Sequence, residues 1–164
     1  HQIKKQETRN KKQVHLSAIK LFKQKYKAGN YIEYFLSYES LDRKVLYAFC
    51  RLRLPLIFLR SKKFKEGLGE VNKFADRRLS KNSWFQNIPM IRELHTYGQM
   101  VPIGDKMKSS SQHKGLGKKL IIKAEKITKK CGFKQIAVIS GIGVREYYKK
   151  FGYKLKDTYL IKKI

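Results

Sequence analysis

Cysteine, acidic residues and long apolar runs are scarce in this chain of 164 residues, and each shortage disfavours a class of protein. Two cysteines, Cys50 and Cys131, are too few for a disulfide framework or a zinc cluster of their own, and they favour a reducing, cytoplasmic environment. The apolar stretch 45–59 is interrupted by Arg51 and Arg53, so we expect no membrane span. The basic residues near the start surround no apolar segment, so we expect no secretory signal.

The shortage of acidic residues leaves a large positive charge. The chain has 12 Asp and Glu against 39 Lys and Arg, which gives a formal net charge of +27. Such a field attracts polyanions, and phosphate contacts with counterion release favour nucleic-acid binding. Because lysine is spread along the whole chain, a general bias toward lysine explains the same number. Charge therefore favours a nucleic-acid partner and leaves the second explanation open.

Length and composition predict one folded domain. The chain is 41% hydrophobic and has ten Tyr and nine Phe, which is enough to fill one core. We expect residues 1–12 to form a flexible basic N-terminus and residues 13–164 to form the domain. Residues 57–87 mix charges and glycines without a clear period, which predicts a surface insertion with at most a short helix.

Hydrophobic periodicity predicts an α/β fold with the element order helix, three strands, helix, strand, helix and a closing strand pair. The segment 90–101 breaks strict alternation, which a β-bulge would explain. The clearest helix has apolar residues along one face and lysines elsewhere, and Gly132 would end it. The predicted helices are residues 11–28, 116–131 and 143–151, and the predicted strands are residues 31–38, 44–54, 90–101 and 135–139, with a closing strand pair at 152–164.

A glycine-bearing turn precedes the clearest helix, where residues 112–117 read Gln-His-Lys-Gly-Leu-Gly. Gly115 and Gly117 would let the backbone approach a diphosphate, and the free amides of the first helical turn would point at it. Lys114 and Lys118 add positive charge. The spacing matches neither a Walker A loop nor a dinucleotide-binding fingerprint. An ordinary glycine-bearing helix start explains the same residues, so the turn alone leaves both interpretations open.

Three segments in a fixed order resemble a known family. They read I-R-E-L-H-T-Y-G at 91–98, Q-H-K-G-L-G at 112–117 and I-A-V-I-S-G-I-G-V-R-E-Y-Y-K-K-F-G-Y at 136–153. In this order they resemble the GNAT acetyltransferase superfamily and, within it, the Elongator-type acetyltransferase domains. The first predicted hairpin is also similar, so the resemblance spans residues 25–163. It implies a GNAT fold, an α/β arrangement with a mixed, mostly antiparallel sheet and splayed central strands flanked by helices.

The resemblance also implies a function. It implies an acetyl-CoA-dependent acetyltransferase that binds tRNA, cleaves the thioester and takes part in modification of the wobble uridine. Acetyl-CoA is then a substrate, tRNA is a partner, and a separate radical SAM domain or Elongator-like subunits are further partners. We expect no metal site and no membrane partner, and the chain lacks the cysteine-rich motif of an iron–sulfur cluster.

The same resemblance assigns site residues. In that family the Tyr148 hydroxyl would protonate the departing thiolate, with Tyr147 as its partner or as a core residue. Glu93 and His95 lie two apart on one strand, so they share a side and are the plausible bases. Adjacent tyrosines and a lone strand histidine are also common packing residues. The implied acetyl-CoA contacts are Glu93, Leu94, His95, Thr96, Ser111, Gln112, His113, Gly115, Gly117 and Tyr148.

Three functions compete at this point. The first is a tRNA-linked acetyl-CoA enzyme, the second a standalone protein or small-molecule N-acetyltransferase, and the third an RNA-binding module that keeps the fold without catalysis. A cationic surface would repel basic protein tails, which disfavours the second. The glycines of the turn and Tyr148 favour a working cofactor site over the third. We therefore expect the first function.

Overall fold

The computed structural model describes residues 19–56, 87–97 and 115–164. This part of the chain forms one seven-stranded sheet in the order β1-β2-β3-β4-β5-β7-β6. The neighbours are antiparallel except for β4 and β5, which are parallel. The elements are β1 (Ile19–Ala28), β2 (Tyr31–Ser40), β3 (Leu46–Pro55), β4 (Met90–Thr96), α1 (Leu116–Lys130), β5 (Gln135–Val138), a 3-10 turn (Ile142–Val144), α2 (Arg145–Lys149), β6 (Lys154–Lys156) and β7 (Tyr159–Lys163).

The mixed, mostly antiparallel α/β architecture predicted from the sequence is confirmed. The first hairpin, the amphipathic helix, the short buried strand after it and the closing strand pair all form, with ends that differ by a few residues from the predicted ones. The predicted N-terminal segment 1–12 and most of the predicted insertion 57–87 lie outside the described residues, so those two boundaries stay predictions. None of the helices described is long and apolar enough to cross a membrane.

The predicted first helix is wrong over residues 19–28, which form the edge strand β1. This strand pairs with β2 along all ten of its residues. Ile19 and Leu21 pack against the main core, whereas Phe22 and Tyr26 lie on the opposite face of the sheet. Apolar residues on both faces of a strand reproduce the three- and four-residue spacing of an amphipathic helix, which explains the error. Residues 11–18 of the predicted helix lie outside the described part.

One face of the sheet carries the main hydrophobic core. The even-numbered residues of β2 and those of β3 from Ala48 onward point to this face, and α1 covers it with an apolar stripe. Gly132, with φ of +88°, follows the C-terminus of α1, as predicted. The side chains with no exposed surface in this core include Ile32, Leu36, Cys50, Leu52, Leu54, Leu120, Ile121, Ala124, Ile136 and Leu160.

The opposite face has a different chemistry. The odd-numbered residues of β2 and those of β3 from Phe49 onward lie here and include Glu33, Phe35, Phe49 and Arg51. At the other end of the sheet this face has a small apolar cluster around Met90, with Ile88 and Ala137 and with Tyr159 and Ile161 packed against it. The helices that the structure describes pack on the first face, so we call this second surface the helix-free face.

Strands β4 and β5 separate soon after they meet. They pair only at Met90 with Ala137 and at Ile91 with Val138. The last hydrogen bond between them runs from the Ile139 N–H to the Ile91 carbonyl oxygen, 3.0 Å long. Past this point β4 continues along β3, so an opening forms between β4 and β5 beside residues 92–96. The predicted splay of the central strands is confirmed.

A bulge marks the residue at which the strands separate. In the pairing of β3 with β4, Arg51 is opposite Glu93 and Leu52 is opposite Ile91, so Arg92 is an extra residue on β4. The bulge predicted from the broken alternation of this segment is therefore confirmed. Residues 98–101, which were also predicted to be strand, lie outside the described part.

Candidate active site

The N-terminus of α1 is open to an anion. Gly115 precedes it with φ of +91°, no side chain among the described residues caps it, and its first turn has no acidic residue. The first intrahelical bond runs from the Lys119 N–H to the Gly115 carbonyl oxygen, 2.9 Å long, so the amides of residues 116–118 have no acceptor within the helix. These amides, the helix dipole and the exposed Lys118 together favour a negative group at this end.

Three elements meet at Gly117 in the first turn of α1. A Cβ atom built on this buried glycine would lie 2.6 Å from the hydroxyl oxygen of Tyr147 on α2 and 3.4 Å from Cγ2 of Thr96 at the end of β4. The first distance is shorter than a normal contact, so a side chain at this position would force the Tyr147 hydroxyl to move. The helix start, the end of β4 and α2 therefore converge at one place.

The two adjacent tyrosines occupy different positions. Their rings meet edge to face with centroids 5.4 Å apart. Tyr147 is 36% exposed and places its hydroxyl against Gly117, whereas Tyr148 is 5% exposed and packs on Tyr153 within the main core. Burial raises the pKa of both hydroxyls, and that of Tyr148 is raised further by electrostatic interaction with Cys50. Both tyrosines are therefore protonated at neutral pH.

Alternation along β4 sends its site residues to opposite faces. Leu94 packs against the main core and Thr96 points to α1. Glu93 and His95 share the helix-free face, as their spacing predicted. The imidazole of His95 stacks on Phe49 with centroids 5.0 Å apart, while Glu93 accepts a hydrogen bond from Arg51 Nη1 at 3.0 Å. One face of β4 is thus turned toward the main core and α1, and its other face carries the two candidate bases.

Sequence reasoning missed Glu33, a buried acidic residue on the helix-free face of β2. Only 2% of Glu33 is exposed, and its carboxylate pairs with both Arg51 and Arg92. An acidic residue within the aromatic stretch 31–38 was the available signal. Its partners are far away in sequence, so the network could be recognised only in the folded chain.

Some predicted site residues cannot be placed. Ser111, Gln112 and His113 lie outside the described residues, so their contacts with acetyl-CoA stay a prediction. The structure brings together Thr96, Gly115 and Gly117 around the N-terminus of α1, with the tyrosine pair beside them. Across residues 19–56, 87–97 and 115–164, no group of three or more His, Cys, Asp or Glu side chains is arranged to hold a metal ion.

Comparison with curated proteins identifies relatives of known name. The tRNA uridine(34) acetyltransferase of Methanocaldococcus jannaschii is 39% identical over 144 residues, which cover 87% of this chain and 23% of that protein. Elongator complex protein 3 of Saccharomyces cerevisiae is 37% identical over 147 residues, 89% of this chain and 23% of that protein. The human Elongator complex protein 3 is 34% identical over 145 residues, which cover 88% of this chain and 23% of that protein. The chain therefore spans about a quarter of the length of these relatives.

A solved structure has the same fold. It is the archaeal Elp3 of Methanocaldococcus infernus with an N-terminal deletion, which superposes with a TM-score of 0.64 at 34% identity. The match covers 92% of this chain and 31% of that one. A scan against models of protein families finds no match. The resemblance to Elongator-type acetyltransferase domains noted in the sequence is confirmed by these relatives.

Proposed function

Because this chain is homologous to one region of the tRNA uridine(34) acetyltransferases and Elongator complex protein 3, we propose that it is an acetyltransferase domain that uses acetyl-CoA and acts on the wobble uridine of tRNA. The observation that supports this most strongly is the convergence at Gly117. There an uncapped helix N-terminus, the free edge of a splayed strand and a tyrosine hydroxyl meet within a few ångströms. A ligand with a diphosphate at one end and a thioester at the other fits this arrangement.

The cofactor would be held by backbone groups at both ends. The free amides of residues 116–118 and the charge of Lys118 would bind its pyrophosphate. The opening beside residues 92–96 leaves one edge of β4 without a β5 partner, so the amides of the pantetheine arm can pair with that edge as an added strand would. The thioester carbonyl would then accept hydrogen bonds from the same backbone, which stabilises the negative charge that develops in the reaction.

Acid and base would act from opposite faces of the sheet. We propose Tyr148 as the acid that protonates the departing thiolate, because it is buried, protonated and close to Cys50, the pair partner of Leu94 on β4. Tyr147, whose hydroxyl lies against Gly117, would set the distance between the first turn of α1 and Thr96. On the helix-free face, His95 would accept the proton of the attacking nucleophile, with Glu93 as a second candidate already paired with Arg51.

The acceptor RNA would lie on the helix-free face, where His95 is exposed. The rings of Phe35, Phe49 and His95 form a continuous stack, with centroids 5.2 and 5.0 Å apart, next to which an unpaired base could stack. The acidic residues Glu33 and Glu93 on this face are paired with arginines. Cations on this face include Arg51, Arg53, Arg92, Lys154 and Lys163. Lys154 and Lys163 also line a groove of about 610 Å³ at the β6–β7 end, together with two more lysines.

Turnover of acetyl-CoA by the purified chain, with and without total tRNA and at low and moderate salt, tests this function. We expect tRNA to raise the rate of thioester cleavage at low salt and salt to weaken the effect, because phosphate contacts carry the binding. Acetyl-CoA cleavage that is indifferent to tRNA but stimulated by amines would instead support a standalone N-acetyltransferase. tRNA binding without any acetyl-CoA binding would contradict the catalytic proposal. We propose a cytoplasmic location, in keeping with a tRNA acceptor.

A further inference from the structure

We infer that Glu33 is a positioning residue for the thioester-binding strand: its buried carboxylate fixes the bulge at which β4 separates from β5. The inference rests on the proposed function, since it assigns to β4 the binding of the thioester. Glu33 itself lies on β2, two strands away from the opening, and would touch neither the cofactor nor the acceptor. It would act through the arginines that it holds.

The carboxylate of Glu33 has three hydrogen-bond donors. Oε1 accepts from Arg92 Nη1 at 2.5 Å, and Oε2 accepts from Arg51 Nη2 at 2.9 Å and from the Tyr26 hydroxyl at 3.1 Å. Burial alone would raise the pKa of Glu33, but the hydrogen bonds from Arg51, Arg92 and Tyr26 outweigh it, and the net pKa lies below its ordinary value. The Glu33 carboxylate is therefore negatively charged, and its three hydrogen bonds hold it in a defined position on the helix-free face.

Both arginines connect this charge to the bulge. Arg92 is the extra residue of β4, so the bulged residue is tied directly to Glu33. Arg51 uses one Nη atom for Glu33 and the other for Glu93, the residue after the bulge. Two consecutive residues of β4 are thus held by one carboxylate, the first directly and the second through Arg51. The planar guanidinium groups fix direction as well as distance.

The bulge decides where the rest of β4 goes. The last β4–β5 hydrogen bond uses the carbonyl oxygen of Ile91, immediately before Arg92. From residue 93 onward the strand follows β3 and leaves the opening beside it. The path of residues 93–96 therefore sets the position of a thioester bound to this edge. Misplacement of a reacting group by about 1 Å can lower a rate about 100-fold.

Stability alone does not account for the network. Burying an ion pair in place of well-packed apolar residues of similar size is often neutral or unfavourable for stability. Arg51 and Arg92 have side chains 30% and 37% exposed, so water could solvate them without Glu33. What the buried carboxylate adds is a defined position for the arginines and the bulge they hold.

Glu33→Gln, with Glu125→Gln as its matched control, tests the inference. Glu125 also accepts from a tyrosine hydroxyl, that of Tyr153 at 3.0 Å, and from a cation, Lys162 Nζ at 2.9 Å, but it lies on α1 away from β4. For Glu33→Gln we expect kcat for acetyl-CoA cleavage to fall about tenfold or more. The Kd for CoA should stay within about twofold, since the N-terminus of α1 is intact. Amide hydrogen exchange should accelerate at residues 92–96.

Glu125→Gln should lower the melting temperature without changing kcat or exchange in β4. The inference is overturned if both variants lose kcat equally, if CoA affinity falls in step with kcat, or if exchange at residues 92–96 is unchanged. Should Glu33→Gln not fold, Arg92→Lys keeps the charge but loses the planar contact, and an unchanged kcat there would equally overturn the inference. If the parent chain does not cleave acetyl-CoA, the proposed function fails, while hydrogen exchange still decides whether Glu33 holds the bulge.

Discussion

The two faces of the sheet are built from alternate residues of the same strands, yet they differ in chemistry. On β3, Cys50 and Leu52 are fully buried under α1, while Phe49 and Arg51 on the other face form a ring stack and an ion-pair network. The first face gains stability by removing apolar surface from water. The second face contains the charges that orient β4 and the groups proposed to meet the acceptor. The covered face therefore holds the fold and also carries the proposed acid Tyr148, whereas the helix-free face carries the candidate bases and the surface proposed for the acceptor. Four experiments test this division.

The largest effect on stability should come from the covered face. Leu52 has no exposed surface, so Leu52→Ala should lower the free energy of unfolding by about 2–5 kcal/mol through lost burial and a cavity. Urea denaturation measures this. The control is Phe35→Leu, on the other face of the neighbouring strand. It keeps most of the apolar volume of the side chain, so it should lower the free energy of unfolding by less than about 1.5 kcal/mol. Equal losses would remove the distinction between the two faces.

The largest effect on catalysis should come from Tyr148, the proposed acid. Tyr148→Phe removes one hydroxyl and should lower kcat for acetyl-CoA cleavage about 100-fold, since acid catalysis by a positioned group typically contributes that much or more. Tyr153→Phe is the matched control, because Tyr153 is also buried but its hydroxyl donates a hydrogen bond to Glu125. Steady-state kinetics at pH 7 should show the loss in the first variant alone, and a fully active Tyr148→Phe would exclude Tyr148 as the acid.

The ion-pair network should give the helix-free face a pH dependence that the apolar core lacks. The pKa of Glu33 is lowered in the folded state, so its stabilising contribution is complete above its ordinary pKa of 4.5 and is lost as the pH falls through the lower folded value. Melting temperatures between pH 3 and 7 should therefore drop at the acid end, and less steeply in Glu33→Gln. Parallel curves for the two proteins would show that Glu33 is not a stabilising charge.

The smallest effect should come from single lysines at the β6–β7 end of the helix-free face. Lys154→Ala and Lys163→Ala should each weaken tRNA binding by a few-fold and reduce the slope of log K against log salt by about 0.7–0.9. Lys126→Ala, on the exposed side of α1, should change neither quantity. Filter binding at several salt concentrations measures both. Equal losses for all three variants would indicate binding by total charge rather than by this face.

The sequence allowed the covered face to be predicted well and the helix-free face poorly, for a physical reason. Helix α1 and the β2–β3 hairpin have local periodicity, and the broken alternation near Arg92 revealed the bulge. The contact of Glu33 with Arg92 joins residues 59 apart, and no local pattern encodes such a pair. Strand β1 was mistaken for a helix because an edge strand with apolar residues on both faces imitates helical spacing. Which of the two adjacent tyrosines is buried was equally hidden, because it depends on how α2 packs on α1.

The central claim is that acetyl-CoA binds where α1, β4 and α2 converge, and titration of acetyl-CoA into Gly117→Ala by calorimetry tests it most directly. The new methyl group would lie 2.6 Å from the Tyr147 hydroxyl, whereas a methyl group at Gly143 would meet nothing within 4 Å, which makes Gly143→Ala the control. We predict that Gly117→Ala weakens acetyl-CoA binding at least about tenfold, or 1.4 kcal/mol, at unchanged secondary structure, while Gly143→Ala binds as the parent does. An unchanged Kd in Gly117→Ala would contradict the account.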